Sequence, residues 1–327
     1  MAVYTVVPAE ALAAFLTRYD CGTLVSAKGI AEGVSNSNFL VETTGPDGGG
    51  RRYILTLYEH RTDPADLPFF IDLLDHLGAN GCPVPRFIAD REGRHVQELC
   101  GRPACLIEFL TGFSVTAPTP AQAHAAGGAL AQMHVAARGF TGKRTNDLGI
   151  DGWAPLAASC DGGLDGIASG LEARITTELD HLAAAWPRDL PHSVVHADLF
   201  PDNVLMLDDR VTGLIDFYFS CTDICAYDLA VMHGAWCFDP TGREYRTEVG
   251  AALVAGYQAV LPLVAEEYAA FPTLCRGAAI RFLLTRAYDW INTPPDAMVT
   301  PHDPLAYLRR LDFYTGADAD ALLGASR

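Results

Sequence analysis

The sequence predicts an α+β chain in two lobes: a small antiparallel β lobe over residues 1–110 and a larger, mainly helical lobe over 111–327. Three observations point there. Runs of strand length, rich in Val, Ile, Leu, Tyr and Phe, occupy 24–31, 37–44 and 52–58, with shorter ones around 86–89, 94–99 and 104–109. Beyond residue 110 the apolar spacing turns helical, over 119–138, 167–186 and most of 226–312. Finally, 327 residues that are 50% hydrophobic and 19% charged can bury a core, and the length suits two bodies at about 100–200 residues each.

Taken in order, Leu12, Phe15, Leu16 and Tyr19 recur at helical spacing, and Pro8 suits the first helical position. Three strands follow. The first two are joined by Glu32-Gly33-Val34-Ser35-Asn36-Ser37-Asn38, and Gly45-Pro46-Asp47-Gly48-Gly49-Gly50 is a hairpin loop before the third. Leu67, Phe70, Ile71, Leu74 and Leu77 then mark a helix over 65–79 that stops at Gly81. Two or three further strands bring the expected sheet to about five. Thr116-Ala117-Pro118-Thr119-Pro120 reads as a short linker and helix start before an alanine-rich helix. Two short strands bracket Asp208-Asp209-Arg210, and helices complete the chain. There are no internal repeats.

Composition narrows the function. With 23 Lys and Arg against 40 Asp and Glu, the formal charge is −17. Such a field repels polyanions, so a nucleic-acid scaffold and an anionic lipid surface are both disfavoured as partners. A small phosphorylated ligand is compatible, because a bound metal supplies positive charge locally. The N-terminal residues carry no secretory pattern, and no apolar run is long enough for a transmembrane helix. Nine scattered cysteines without a CxxC pair read as reduced thiols. Together these predict a cytoplasmic protein.

The chemistry is concentrated in His196-Ala197-Asp198-Leu199-Phe200-Pro201-Asp202-Asn203-Val204-Leu205, followed by Leu214-Ile215-Asp216-Phe217. This is H-x-D-x-x-x-x-N with a carboxylate thirteen residues after the Asn, at the end of an apolar strand. Phosphoryl transfer needs such a set. Asp198 is placed to accept the proton of an attacking hydroxyl, while Asn203 and Asp216 offer hard oxygens that hold Mg²⁺ against phosphates. The loop built from Gly33, Ser35, Asn36 and Asn38 is of a kind that folds over phosphates, presenting backbone N–H groups, small hydroxyls and amides.

These motifs resemble the aminoglycoside phosphotransferase and choline kinase superfamily, over nearly the whole chain. The resemblance implies the protein-kinase-like fold, ATP as phosphoryl donor and Mg²⁺ as cofactor. Leu106-Ile107-Glu108-Phe109-Leu110-Thr111-Gly112 falls where that family has its interlobe hinge, so Glu108 and Leu110 are expected to pair with an adenine edge. Ala129-Leu130-Ala131-Gln132-Met133-His134 resembles the helix before the catalytic loop, and Tyr227-Asp228-Leu229-Ala230 the D-L-A helix start after the metal Asp. His196 is implied to tie the loop down. Four stretches are similar, more narrowly, to the bacterial homoserine kinases of this fold: Ile30-Ala31-Glu32-Gly33-Val34-Ser35-Asn36-Ser37-Asn38-Phe39, Tyr53-Ile54-Leu55-Thr56-Leu57-Tyr58-Glu59, Asp66-Leu67-Pro68-Phe69-Phe70 and Ala235-Trp236-Cys237-Phe238. The implied acceptor is then L-homoserine, on the route to threonine.

Thr56 stands where kinases usually carry a third-strand Lys or Arg, a feature the resemblance implies is shared with homoserine kinases of this type. Lys28, Arg51 and Arg52 are the cations near that sheet, and Asp72 and Asp75 the acids on the following helix. An amino-acid acceptor needs a cation for its carboxylate and an acceptor for its ammonium, with Arg281, Arg286, Asp223, Tyr288 and Trp290 as lining candidates. His134 and His233 read as structural. Competing readings are a kinase for another small alcohol, such as an aminoglycoside, choline, ethanolamine or methylthioribose, and a nucleotide-binding pseudokinase. The intact Asp198, Asn203 and Asp216 oppose the last.

Overall fold

The computed structural model describes residues 4–30, 36–45, 48–59, 62–294 and 300–324. Packing divides the chain into two units, Met1–Thr111 and Gly112–Arg327.

The first unit opens with α1 (Ala9–Leu16), for which Pro8 serves as the N-cap and not, as the sequence suggested, the first helical residue. Its φ of −62° and ψ of 144° are extended, a conformation Pro adopts readily just before a helix. The strands β1 (Thr23–Gly29), β2 (Ser37–Thr44), β3 (Gly50–Leu57), β4 (Phe87–Ile88), β5 (Gln97–Leu99) and β6 (Arg102–Glu108) form one antiparallel sheet. Its order is β1-β2-β3-β6-β4, with β5 also paired to β6. The sheet therefore has six strands where the sequence suggested about five: β4 faces Leu106 and Ile107 while β5 faces Arg102 to Ala104, so two short strands share one long neighbour.

Inward positions on β2 alternate, as a half-buried strand requires: Phe39 and Val41 join Leu55, Leu57 and Leu106 in a core covered by Leu12, Phe15 and Leu16. Gly22 holds a φ of +90° beside the Thr44 carbonyl, so a Cβ there would be both strained and in collision. α2 (Leu67–Ala79) follows a 3₁₀ turn, Pro64–Asp66, whose Asp63 side chain accepts from the Ala65 N–H. It ends as expected: Gly81 takes a φ of +83° and Cys82 N–H donates to the Leu77 carbonyl.

The second unit is mainly helical. α3 (Pro120–Ala136) begins with a capping box in which Thr119 and Gln122 each satisfy the other's backbone N–H. It packs on α8 (Thr247–Val260) at very close range, because Gly127 lies against the Leu253 carbonyl and Gly256 against that of His124. That contact requires small residues and accounts for the alanine- and glycine-rich character of α3. Between them run α4 (Ile150–Ala158), α5 (Leu164–Ile167), α6 (Leu171–Ala185), β7 (His192–Val195), β8 (Val204–Leu207), β9 (Arg210–Leu214), β10 (Cys221–Ile224) and α7 (Cys225–Trp236).

β8 and β9 form the expected hairpin. β7 and β10 pair antiparallel, a ladder the sequence did not reveal because each strand has only four residues. α9 (Ala265–Asn292), α10 (Leu305–Gly316) and α11 (Ala319–Leu323) complete the unit. α7 is buried along almost its whole length, and α9 through its centre. Eight of the nine cysteines are buried and all are free thiols; Cys100 is exposed. Among the described residues, no helix is long and apolar enough to cross a membrane.

Candidate active site

The segment after β7 is held by an unusually complete set of hydrogen bonds. Ala197 takes a left-handed φ of 63°, which costs an L residue roughly 1–2 kcal/mol. Asp228, on α7, offsets this: its carboxylate accepts from the backbone N–H of both His196 and Ala197, at 2.7 and 2.8 Å. His134 on α3 reaches the same carboxylate at 3.0 Å, and its other ring nitrogen meets the Tyr257 hydroxyl at 2.9 Å. Arg281, on α9, donates to the Ala197 carbonyl. Trp236 donates to the Leu199 carbonyl at 2.9 Å.

His196 is fully buried and stitches two segments together. Its Nε2 faces the Ile215 carbonyl at 2.9 Å, so Nε2 carries the proton, and Nδ1 accepts from Asp198 N–H at 3.3 Å. Its ring lies 4.5 Å from that of Phe217. Burial pushes the imidazole pKa down, keeping it neutral; Asp228 pulls the other way.

Asn203 ends a 3₁₀ turn, Pro201–Asn203, and its amide nitrogen donates to the Asp198 carbonyl at 2.7 Å. Ile215 N–H donates to the Asn203 carbonyl, and Asp216 follows in a left-handed conformation, φ 65° and ψ 58°. Asp198, Asn203 and Asp216 are thus brought together, as their spacing predicted. Burial pushes the Asp198 carboxyl up to about 8, with Arg281 pulling it down and the charges of Asp216 and Asp202 pushing further. Asp216 rises to about 6 through burial and Asp202. Both carboxyls are hemmed in by protein yet reachable by solvent: Asp198 is half-buried and Asp216 has an open face.

The donor set fits a hard cation. The Asn203 amide nitrogen is committed to Asp198, which leaves its Oδ1 as the available atom. The Asp216 carboxylate has no hydrogen-bond donor among the described residues, and its negative charge raises the Asp198 pKa. Among the described residues no three His, Cys, Asp or Glu side chains form a metal cage. An amide oxygen beside a carboxylate is a set Mg²⁺ would accept, since that ion takes one or two carboxylates and completes its shell with phosphate oxygens and water.

The other expected site residues fall out as follows. Gly33 and Ser35 lie outside the described residues. Asn36 is buried, with its amide oxygen accepting from Glu59 N–H at 3.2 Å and the Thr62 hydroxyl at 3.4 Å. Asn38 faces Thr56 across β2 and β3 and accepts its hydroxyl proton at 2.8 Å, so the residue in the usual Lys position is tied to this strand pair. Glu108 N–H donates to the Arg86 carbonyl and its carboxylate accepts from Arg86 N–H. Leu110, half-buried, has no backbone partner for its N–H among the described residues.

Of the sheet's cations, Lys28 is exposed and Arg51 half-buried, while Arg52 pairs with Glu42 at 3.2 Å and lies over Phe109. Asp72 and Asp75 are exposed on α2. Asp223 accepts from Asn146 at 2.6 Å and from Ile224 N–H. Tyr288 and Trp290 are 39% and 49% exposed. His134 and His233 are buried in hydroxyl and carboxylate contacts, as a structural reading expects.

Two contributors have no signal in the loop motif itself. Asp228 was visible only as part of a D-L-A helix start. Arg281, expected among the residues lining the acceptor, is instead almost wholly buried on α9, 83 residues beyond Asp198, and is spent on the Ala197 carbonyl.

A model of the phosphotransferase enzyme family matches residues 26–263. This chain belongs to that family. It is similar over nearly its whole length to the homoserine kinase of Methylobacterium radiotolerans, 53% identical over 317 residues that cover 97% of each chain. The homoserine kinase of Azorhizobium caulinodans is 54% identical over 314 residues, 96% of each chain. Among solved structures, an amicoumacin kinase in complex with AMP-PNP, Ca²⁺ and Ami superposes with a TM-score of 0.69 at 15% identity, covering 95% of this chain and 94% of that one. At that identity the likeness concerns the fold, which is the α+β, protein-kinase-like one.

Proposed function

We infer that this chain is an ATP-dependent homoserine kinase. It transfers the γ-phosphoryl group of ATP to the side-chain hydroxyl of L-homoserine, giving O-phospho-L-homoserine and ADP, a step towards threonine. The observation that carries this is identity above one half to homoserine kinases over nearly the full length of both chains.

Asp198 is the catalytic base in this reading. Its carboxylate receives the hydroxyl proton as the new O–P bond forms and the bond to the β-phosphate oxygen breaks. The grip of Asp228 and Arg281 on the preceding two residues supports that role, because it fixes the carboxylate before the acceptor arrives. Asn203 Oδ1 and Asp216 would hold Mg²⁺, which supplies charge neutralisation at the phosphates. His196 positions the loop and takes no part in proton transfer, since Nε2–H is committed to a carbonyl. Asn38, with Gly33, Ser35 and Asn36, belongs to the phosphate-binding loop, and Glu108 and Leu110 to the adenine contact. The nucleotide falls to residues 1–110 and the acceptor to 111–327, in a cytoplasmic protein.

Coupled ADP release over L-homoserine, choline, ethanolamine, methylthioribose and aminoglycosides tests the acceptor. Saturable release is expected with L-homoserine alone. Release with another alcohol and none with homoserine would replace the substrate and leave the phosphotransferase in place.

A further inference from the structure

Tyr307, buried on α10, is flanked by two guanidinium groups: Arg286 sits 4.6 Å and Arg310 4.5 Å from its ring centroid. A third, Arg281, stacks on Phe282, whose ring lies 5.1 Å from that of Tyr307. Each guanidinium has five N–H donors to place, and the three place them differently. Arg310 donates to the carbonyls of Gly234, Ala306 and Asp239, at 2.9, 2.9 and 3.0 Å. Arg281 is almost wholly buried and holds the Ala197 carbonyl. Arg310 is a structural tie; Arg281 leaves Nε without a partner among the described residues, but its burial keeps it from a ligand.

Arg286 is different. Among the described residues its one hydrogen bond is a long one, 3.4 Å to the Asp303 carbonyl. The Asp303 carboxylate is taken up by Arg309 and by Leu305 N–H. Arg286 is half-buried, so its unspent donors remain within reach of a ligand. Burial lowers its pKa, and Asp198 is close enough that its charge acts in the opposite direction. A half-desolvated guanidinium with unspent donors is costly unless an anion takes them, and its planar fork matches a carboxylate in bidentate geometry.

Homoserine presents such an anion. Its hydroxyl must reach Asp198, and its carboxylate lies three carbon–carbon bonds from the hydroxyl carbon. We propose that Arg286 receives the carboxylate of the acceptor and so selects an α-amino-acid alcohol over a simple amino alcohol. This rests on the homoserine kinase reading and adds the residue that enforces it.

Steady-state kinetics of the full chain test it, with L-homoserine as substrate and 3-aminopropan-1-ol, which is homoserine with hydrogen in place of the carboxylate, as competing ligand. In Arg286→Met the KM for homoserine is expected to rise about 30-fold or more with kcat little changed, and in Arg286→Lys by less. The inhibition constant of 3-aminopropan-1-ol should stay within about threefold of the parent value in both. Weakening of both ligands by the same factor, or an unchanged homoserine KM, would overturn the proposal. Absence of homoserine turnover in the parent protein would remove instead the reading beneath it. Lysine keeps a cation above Tyr307, so if the methionine variant does not fold, the lysine variant decides.

Discussion

Asp198 and Asp228 are both packed round by protein, lie close enough for their charges to interact, and are pushed in opposite directions. Burial alone would raise each. At Asp228 that push is overcome by the hydrogen bond with His134 and by the backbone N–H groups of His196 and Ala197, so the carboxyl is held below its usual range. At Asp198 the side-chain oxygens have one donor among the described residues, Asn203 at 3.4 Å, and the pKa climbs to about 8. Donors make the difference, since Asp228, the more deeply buried of the two, is the one held down. Asp228 spends its acceptor capacity inside the protein and holds the loop; Asp198 leaves most of its own unspent among the described residues.

Substitution should separate the two roles. Asp198→Asn preserves shape and removes the proposed proton acceptor, so homoserine-dependent ADP release should fall about 1000-fold, a loss at the scale of general-base catalysis. The melting temperature should remain within about 2 °C of the parent, since no internal donor loses its partner. Turnover within tenfold of the parent would remove Asp198 from the chemistry. Asp228→Ala should do the reverse. It strands two backbone N–H groups and His134 in the interior, and urea denaturation at neutral pH should register a loss of about 3 kcal/mol or more. A loss below about 1 kcal/mol would mean that the loop is held by other contacts.

The contrast also marks what the sequence could convey. The convergence of Asp198, Asn203 and Asp216 was legible because the three lie along one short stretch and the hairpin between them is local. The first three strands and both helices of the β unit were legible from apolar period and turn residues. What stayed hidden is non-local. The β7–β10 ladder joins segments 26 residues apart through four-residue strands whose pattern is too short to stand out. The grip of Arg281 on Ala197 depends on α9 returning across the unit. Whether an aspartate ends up with donors, as Asp228 does, or without them, as Asp198 does, depends on helices far away in sequence. Thr56 shows the same limit: its position was readable, but not its bond to Asn38.

A third buried group sharpens the rule that partners decide. His134 has a carboxylate beside it; His233, equally buried on α7, has among the described residues only the hydroxyls of Tyr314 and Tyr245 as hydrogen-bond partners, at 2.8 and 3.3 Å. Burial without a counter-charge lowers the His233 pKa from 6.5 to about 3. The unfolded chain therefore binds a proton at this position below pH 6.5 while the native chain does not until about pH 3. Stability should be complete above that window and fall as the pH drops through it, by about 1.4 kcal/mol per unit for this one group. His196, also lowered by burial, adds a contribution of the same sign. In His233→Gln the titration is gone, so between pH 6.5 and 5 the decline in unfolding free energy should be shallower by about 1 kcal/mol per unit, read from urea transitions at each pH. Parallel slopes in the two proteins would mean that native His233 is protonated in this range, and that hydroxyl partners alone suffice to carry an imidazolium in the interior.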